Sequence, residues 1–412
     1  MNNEKLSRIL FTFLASGYRL NWDRFNTIIE LLREKGFDVW VLGYAQNWSN
    51  IKRKILGSID VDTRNKIINI TQPRWLSTIE YYSIYNLVFI MGIGYAVLLY
   101  KVCKNLRITT VILADDTVGI NLYFLLIKKI FRTKMNTIID YADLRARWHT
   151  FKGKNILMRI ISTTVDEVIN PKLAKKIITI TNFGKEFLFH RSKINKGFVI
   201  PLISKFSFEL NLNIDKKEVK KLLGLDPKYF IFIWCGHLGG FTTYDVLFLI
   251  KGISMSKYRD NIQLVLAASA SNHDIDHIYS YAKRLNVNVK YIGYLDKKTL
   301  MKYFQASDVG VFIRPQTLFT HFLSGTKVYD YMLAGLPVIV PCLKGQLETI
   351  KGNGLCYKPG NVKDLAMKID KILKMDLEFM GAVSSEIAKN NLKYVTELIN
   401  QKEFMDFLTN HE

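Results

Sequence analysis

Short runs of β-branched and aromatic residues alternate along this chain with longer stretches in which apolar positions recur every third or fourth residue. The first half predicts strands at 9–15, 38–42, 66–70, 109–113, 136–140 and 176–180, and the second half predicts them at 229–235, 262–268, 288–292, 308–313 and 336–340. Strand and helix patterns in strict alternation are the signature of βαβ units and parallel sheets. The fold class expected is therefore α/β, with two doubly wound, Rossmann-like domains facing a central cleft. The first domain spans 1–203, a polar stretch rich in Lys and Asn at 204–227 reads as a linker, and the second domain spans 228–381. The last helical pattern, about 382–412, is expected to pack back on the first domain.

Length and composition sharpen this picture. At about 150 residues per domain, a chain of 412 residues suits two domains, and its 49% hydrophobic and 23% charged residues exclude a disordered or low-complexity protein. The uncharged run from Tyr81 to Tyr100 is long enough to cross a bilayer. A crossing there would split one sheet across a membrane, so a buried core helix or a helix on the membrane surface is expected instead, and its Tyr and Gly content favours the surface. The N-terminus, where Glu4 and Arg8 precede a short apolar run, reads as a strand and not as a signal peptide. Cys103, Cys235, Cys342 and Cys356 lie far apart with no CxxC pair, which suggests neither a disulfide framework nor a zinc ribbon and points to a reducing, cytoplasmic home.

Charge adds a class of partner. Lys and Arg number 58 against 36 Asp and Glu, a net +22 that attracts phosphorylated substrates, anionic lipid or nucleic acid. Half of that excess falls between Lys128 and Lys196. Aromatic residues do not interleave with the basic ones in an RNA-binding pattern, and the pattern of predicted strands is not that of an RRM or OB-fold, so no nucleic acid is expected.

The segment from Ala306 to Val340 carries the most chemistry. Its strand at Val309 to Ile313 ends in a loop, Ser324 reads as the N-cap of a helix starting at Gly325, and Gly335 with Pro337 stops that helix. In a parallel sheet such a helix begins at the carboxyl edge, where free N–H groups and the helix dipole hold an anion. Lys327 adds a full charge, and Thr326 and Asp330 share one face, so a carboxylate lies one turn beyond the phosphate site, placed to accept ribose hydroxyls. The same spacing also suits an ordinary βαβ unit with a surface Asp.

With its SGTKVYDYMLAGLPV run, this segment resembles the GT-B glycosyltransferases, in particular family 4 (group 1). WCGHLGGFTTYDVL at 234–247 looks like that family's glycine loop, and YIGYLDKKTLMKYFQASD at 291–308 like its base-binding loop. TITNFGKEFL and VIPLI in the first half are similar to the family's strand endings before the linker. The resemblance implies that Asp330 binds the nucleotide ribose and that Gly293, Tyr294 and Leu295 lie against the base. It places Gly236 and His237 on one side of the diphosphate, with Ser324, Gly325, Thr326 and Lys327 on the other. Three positions depart from the family pattern: Phe322 stands for its first Glu, His237 for its Arg and Thr242 for its Lys. Lys327, with Arg314, is left to neutralise the leaving group.

In the first half, Ser16 and Gly17 follow the first strand, Asp115 and Asp116 end another, and DYADLRARWH at 140–149 brings carboxylates with Arg145, Arg147 and His149 to the cleft edge. Carboxylates there also serve simply as helix caps. Asp143, Lys327 and His237 are the candidates for catalysis. His273 and His277 have the spacing of two metal ligands on a helix but lack a third, so a solvated helix start and no metal site are expected. The resemblance implies a retaining transferase that uses a nucleotide-diphosphate sugar as donor substrate and no separate cofactor. Its acceptor would be lipid-linked or a glycan, met at the inner, anionic membrane face during cell-surface polysaccharide or glycolipid assembly. A nucleotide-sugar epimerase, a silent subunit and a nucleic-acid-binding protein are the rival readings.

Overall fold

A computed structural model describes residues 7–12, 22–44, 58–71, 84–114, 118–144, 146–147, 156–204 and 215–410. The chain divides into two compact units, one of residues 1–201 with 394–412 and the other of residues 202–393.

The first unit is built on an eight-stranded sheet. Its strands are β1 (Arg8–Thr12), β2 (Asp38–Tyr44), β3 (Ser58–Asp62), β4 (Ile67–Thr71), β5 (Thr110–Ala114), β6 (Asn136–Tyr141), β7 (Lys176–Thr179) and β8 (Lys196–Val199), in the order β3-β4-β2-β1-β5-β6-β7-β8. All neighbours are parallel except β3 and β4, which form an antiparallel hairpin at the edge. The central strands β5 and β6 are buried along their whole length, as strands covered on both faces must be. Crossover helices include α1 (Trp22–Glu34), α2 (Ile84–Asn105) and α3 (Val118–Ile130). After them come α4 (Ile156–Thr164), a π-helical turn at Val165–Ile169, α5 (Asn170–Ala174) and α6 (Asn182–Ser192).

The apolar run expected at 81–100 lies mostly in α2, with residues 81–83 outside the described set. Ala96, Leu99, Tyr100, Val102 and Cys103 of this helix are buried, so this part of it is a core helix. No described helix is long and apolar enough to cross a membrane.

The second unit holds α7 (Lys216–Leu222), β9 (Phe230–His237), α8 (Phe241–Ser254), β10 (Ile262–Ser269), α9 (Asn272–Arg284), β11 (Asn288–Gly293), α10 (Lys297–Ala306) and β12 (Val309–Val311). It continues with α11 (Leu318–Phe322), α12 (Thr326–Leu333), β13 (Val338–Pro341), α13 (Lys344–Leu347), β14 (Gly354–Tyr357) and α14 (Val362–Ile372). Its six parallel strands run in the order β11-β10-β9-β12-β13-β14, the doubly wound arrangement in which the order reverses between β9 and β12. The stretch expected as a linker contains α7, whose Lys220 bonds the Asp308 carboxylate at 2.7 Å, so this helix is a packed part of the second unit. Cys342 and Cys356 form a disulfide, contrary to the expectation from their spacing. The register explains it: Cys356 stands beside Val340 on the neighbouring strand, and the Cys342 N–H bonds the Tyr357 carbonyl, which brings the two β-carbons together.

The long helix α15 (Leu377–Asn400) starts in the second unit, and its last turns, from Tyr394, belong with the first, as does α16 (Lys402–Thr409). The first residues of β5, β6 and β7 cap the carboxyl end of α16. Thr110 donates to the Leu408 carbonyl at 2.6 Å, Asn136 to the Phe407 and Leu408 carbonyls, and Lys176 to those of Phe407 and Asn410. Carbonyls that a helix end leaves unpaired are thereby satisfied, and a cation meets the negative end of the dipole.

Lys128 lies nearby, its amine donating to Thr137, and burial together with the charges of Lys175 and Lys176 lowers its pKa to about 8. In the unfolded chain this amine keeps its proton to higher pH, so stability should rise with pH from about 8 upward. Thermal melts across that range should show the rise in wild type and a flatter profile in Lys128→Met.

Candidate active site

The switch point of the second sheet lies between the carboxyl ends of β9 and β12, and two helices begin beside it, α8 directly after β9 and α12 after β12 and the short α11. Ser271, Asp296, Thr317 and Asn361 each cap their own helix by accepting a backbone N–H. By contrast, α8 begins at Gly240 and α12 at Gly325, neither of which makes a side-chain cap. The first N–H groups of α8 and α12 are thus left for a ligand, and both dipoles add positive potential. Gly240 has φ +57, a conformation that glycine adopts without strain, and the nearby Thr242 hydroxyl steadies the loop by donating to the Gly239 carbonyl at 2.9 Å.

The start of α12 falls one residue later than expected. Gly325, not Ser324, is the N-cap, and its carbonyl accepts the N–H groups of Val328 and Tyr329. Ser324 and Gly325 are both buried, and Gly325 packs against the Phe312 ring. Gly335, at φ +73, ends the helix as its spacing requires.

From this start α12 presents Thr326 and Lys327, both half-buried, and then Asp330. Asp330 and Arg314 lie within electrostatic reach of Lys327, as do the Cys235 thiol on β9 and the Tyr294 phenol, so these groups are gathered around one helix start. Burial raises the Asp330 carboxyl above its ordinary value, although Lys297 and Lys327 pull it down. Lys297, at the start of α10, places its amine 3.9 Å from the Asp330 carboxylate, and burial lowers its own pKa. Sequence reasoning missed Lys297, although it follows Tyr294 and Leu295 by only a few positions. Gly293 closes β11, and Tyr294 beyond it is 78% exposed with Leu295 half-buried beside it. An exposed ring at a sheet's carboxyl edge is a surface on which a planar base can stack.

At the end of β9, Gly236 is half-buried and His237 exposed. The His237 Nδ1 shares a hydrogen bond with the Ser269 hydroxyl at 2.9 Å, since the two residues are register partners on β9 and β10. Asp274 lies within electrostatic reach of His237 and accepts hydrogen bonds from Ser271 and Thr243. Arg314 donates to Asp245 of α8 at 2.6 Å, and burial pushes that carboxyl up to about 6 against the pull of the guanidinium. This pair ties the end of β12 to α8. Phe322, at the position of the family's first Glu, is wholly buried in α11 and does not face a ligand.

Several first-unit candidates have structural partners instead. Asp140 is buried and receives both contacts of the Arg24 guanidinium, at 3.1 and 2.9 Å, because the strand end it occupies is covered by α1. Arg147 is bonded to the buried Glu167 of the π-helical turn, which also receives Arg191. Asp143 stands half-buried in the loop leaving β6. Ser16, Gly17, Asp115, Asp116, Arg145 and His149 lie outside the described residues. His273 and His277 are exposed on α9, and no group of three or more His, Cys, Asp or Glu among the described residues is arranged to hold a metal.

Comparison with known proteins adds three findings. Residues 230–375 match the family described as Glycosyl transferases group 1. An uncharacterized glycosyltransferase of Methanocaldococcus jannaschii is 26% identical over 206 residues, a match that covers 48% of this chain and spans only half (50%) of that relative's length. The sucrose-phosphate synthase of Thermosynechococcus elongatus superposes with a TM-score of 0.67 at 15% identity, over 98% of this chain and 100% of that one. A trehalose-6-phosphate protein from E. coli, solved with UDP-2-fluoro glucose, gives a TM-score of 0.65 at 13% identity over 97% and 99% of the two chains. At such identities the likeness shows the fold, which is GT-B.

Proposed function

We propose that this chain, whose residues 230–375 match the family described as Glycosyl transferases group 1, is a glycosyltransferase whose second unit binds a nucleoside diphosphate sugar. The observation that carries the reading is the pair of uncapped, glycine-started helices at the switch point, with Lys327 and Asp330 on the second of them. In this reading the diphosphate sits at the starts of α8 and α12, between Gly236 and His237 on one side and Ser324, Gly325, Thr326 and Lys327 on the other. Asp330 accepts the ribose hydroxyls, with Lys297 beside it, and Tyr294 stacks on the base. A uridine nucleotide is favoured by the E. coli relative solved with UDP-2-fluoro glucose.

Chemistry then consists of stabilising a leaving diphosphate. The N–H groups at both helix starts are fixed dipoles aimed at charge that develops as the glycosidic bond breaks, and Lys327 adds a full cation. We assign the acceptor, lipid-linked or a glycan, to the first unit, with Asp143 as its carboxylate, and retention as the outcome, by likeness to the group 1 enzymes. His237, hydrogen-bonded to Ser269, is the group at the β9 end placed to assist the leaving phosphate.

A titration of the purified protein with UDP, GDP, ADP and their sugars should raise its melting temperature with one nucleotide class, by mass action on the folded state. Asp330→Asn should weaken that binding about ten- to hundredfold, the worth of a hydrogen bond to a charged group. Because only the ionised Asp330 carboxylate offers both oxygens as charged acceptors and its carboxyl is held above the ordinary value, wild-type binding should already weaken above the usual carboxylate range as pH falls, and the variant should lack this acid limb. No shift with any nucleotide would overturn the assignment.

A further inference from the structure

We propose that the Cys342–Cys356 disulfide is a redox latch on the nucleotide site: its reduction by a dithiol slackens the helix starts of that site and weakens binding there. The bridge is unusual in its setting. A chain of 412 residues buries enough apolar surface to fold without disulfides, and its other cysteines, Cys103 and Cys235, are free and buried. Cys342 and Cys356 are half-buried, and so open to a small thiol in solution. The exchange is balanced by its own reagent. One thiolate of the dithiol attacks a bridge sulfur and expels the other cysteine, and its second thiol then closes on the first, so the protein gains two electrons and two protons while the reagent becomes a disulfide.

The bridge joins two arms, one for each of the uncapped helices. Beyond Cys342 the chain turns at Leu343 into α13, a single turn with no side-chain cap, too short to hold itself. This turn lies against the segment that leads into α12. The Lys344 N–H donates to His321 Nδ1 at 3.1 Å, the Gln346 side chain donates to the Leu323 carbonyl at 3.2 Å, and Gly345 packs so closely on the Leu323 and His321 carbonyls that a β-carbon there would lie 2.5 Å from the first of them. Leu323 stands just before Ser324 and Gly325, the N-cap of α12. The other arm begins at Cys356. Its neighbour Tyr357 accepts the Arg314 N–H at 3.3 Å through its hydroxyl and sets its ring against Phe248 of α8, while Arg314 holds Asp245 of the same helix. Closed, the bridge fixes α13 to β14, and through them the start of α12 to the corner between β12 and α8. Opened, it leaves the Cys342 N–H bond to the Tyr357 carbonyl to hold the arms at this level. Donors that are no longer held in place bind an anion less well, because ordering them then costs entropy. What the slackened site binds rests on the donor-site reading above.

The test compares the oxidised full chain with the same chain in dithiothreitol, reading hydrogen exchange over residues 321–326 and calorimetric affinity for UDP, GDP and ADP. Denatured without reductant, the oxidised chain should show two free thiols, those of Cys103 and Cys235. Reduction should speed exchange at 321–326 and lower the affinity of the nucleotide that binds about tenfold, within the usual range of coupling between sites, and reoxidation should restore both. Cys342→Ser combined with Cys356→Ser should behave as the reduced chain whether or not dithiothreitol is present. Four free thiols in the oxidised chain would overturn the proposal, as would a double variant that still responds to dithiothreitol. A lower melting temperature on reduction with unchanged affinity would make the bridge a structural staple and likewise overturn it. If none of the nucleotides binds in either state, the donor-site reading is what fails; the latch then stands on faster exchange at 321–326 and falls on unchanged exchange.

Discussion

Lys327→Ala is expected to lower kcat/KM for sugar transfer by about 10²–10³-fold, the usual effect of removing one preorganised group from a developing oxyanion. The substitution isolates the side-chain charge, because the backbone N–H groups of Thr326 and residue 327 at the start of α12 remain, and so does the N-cap at Gly325. Fold should survive: Lys327 is half-buried, and α12 is held by Val328, Tyr329, Tyr331 and Met332, which are buried in the core. If the ammonium serves the leaving diphosphate, affinity for the nucleoside diphosphate should fall more than affinity for the monophosphate, which lacks the outer phosphate. Calorimetric titration of both ligands against wild type and variant reads this difference. Equal losses would place Lys327 near the base or ribose, and an unchanged rate would remove it from the chemistry. The departures at His237 and Thr242 make the experiment more telling, since on the proposed reading they would leave Lys327 as the principal cation for the diphosphate, Arg314 being engaged with Asp245.

Much of this architecture is legible in the sequence because strands buried on both faces become unbroken apolar runs. FIFIW of β9 and IQLVLAA of β10 are of this kind. The strands that sequence missed are at or near sheet edges. β8 (KGFV) and β14 (GLCY) have four residues each with glycine and little periodicity, and β3 pairs only with β4. The start of α12 was misread by one residue because serine is the better N-cap by preference, whereas a glycine there leaves the helix open to a ligand. Phe322 and Arg314 were noticed as chemistry, but their settings follow from tertiary packing: one is a wholly buried core residue and the other is bound to a carboxylate 69 positions away. The same is true of Asp140, whose partner Arg24 is separated from it by 116 positions. No local pattern announces such a pair.

Arg24→Met is expected to destabilise the first unit by about 3–5 kcal/mol, the cost of leaving a buried charge without its partner. Both side chains are 1% exposed, and the Arg24 Nε also donates to the Ile200 carbonyl at 3.0 Å, so one guanidinium ties α1 to β6 and to the segment after β8. Burial raises the Asp140 carboxyl even with Arg24 beside it, and a buried ion pair often contributes little net stability because the desolvation of both charges offsets their attraction. Removing both charges should therefore cost far less than removing one, and Arg24→Met combined with Asp140→Leu should recover most of the loss. The single variant also predicts a sign in its pH dependence. Without Arg24, Asp140 must fold protonated while the unfolded chain ionises it, so folding takes up a proton and stability falls as pH rises. The deficit against wild type should be smaller at acid pH than at neutral pH, and it should be absent from the double variant. Thermal or urea unfolding of the three proteins across that range measures all of this, and a single-variant loss below about 1 kcal/mol, the scale of an exposed ion pair, would show that water reaches the site.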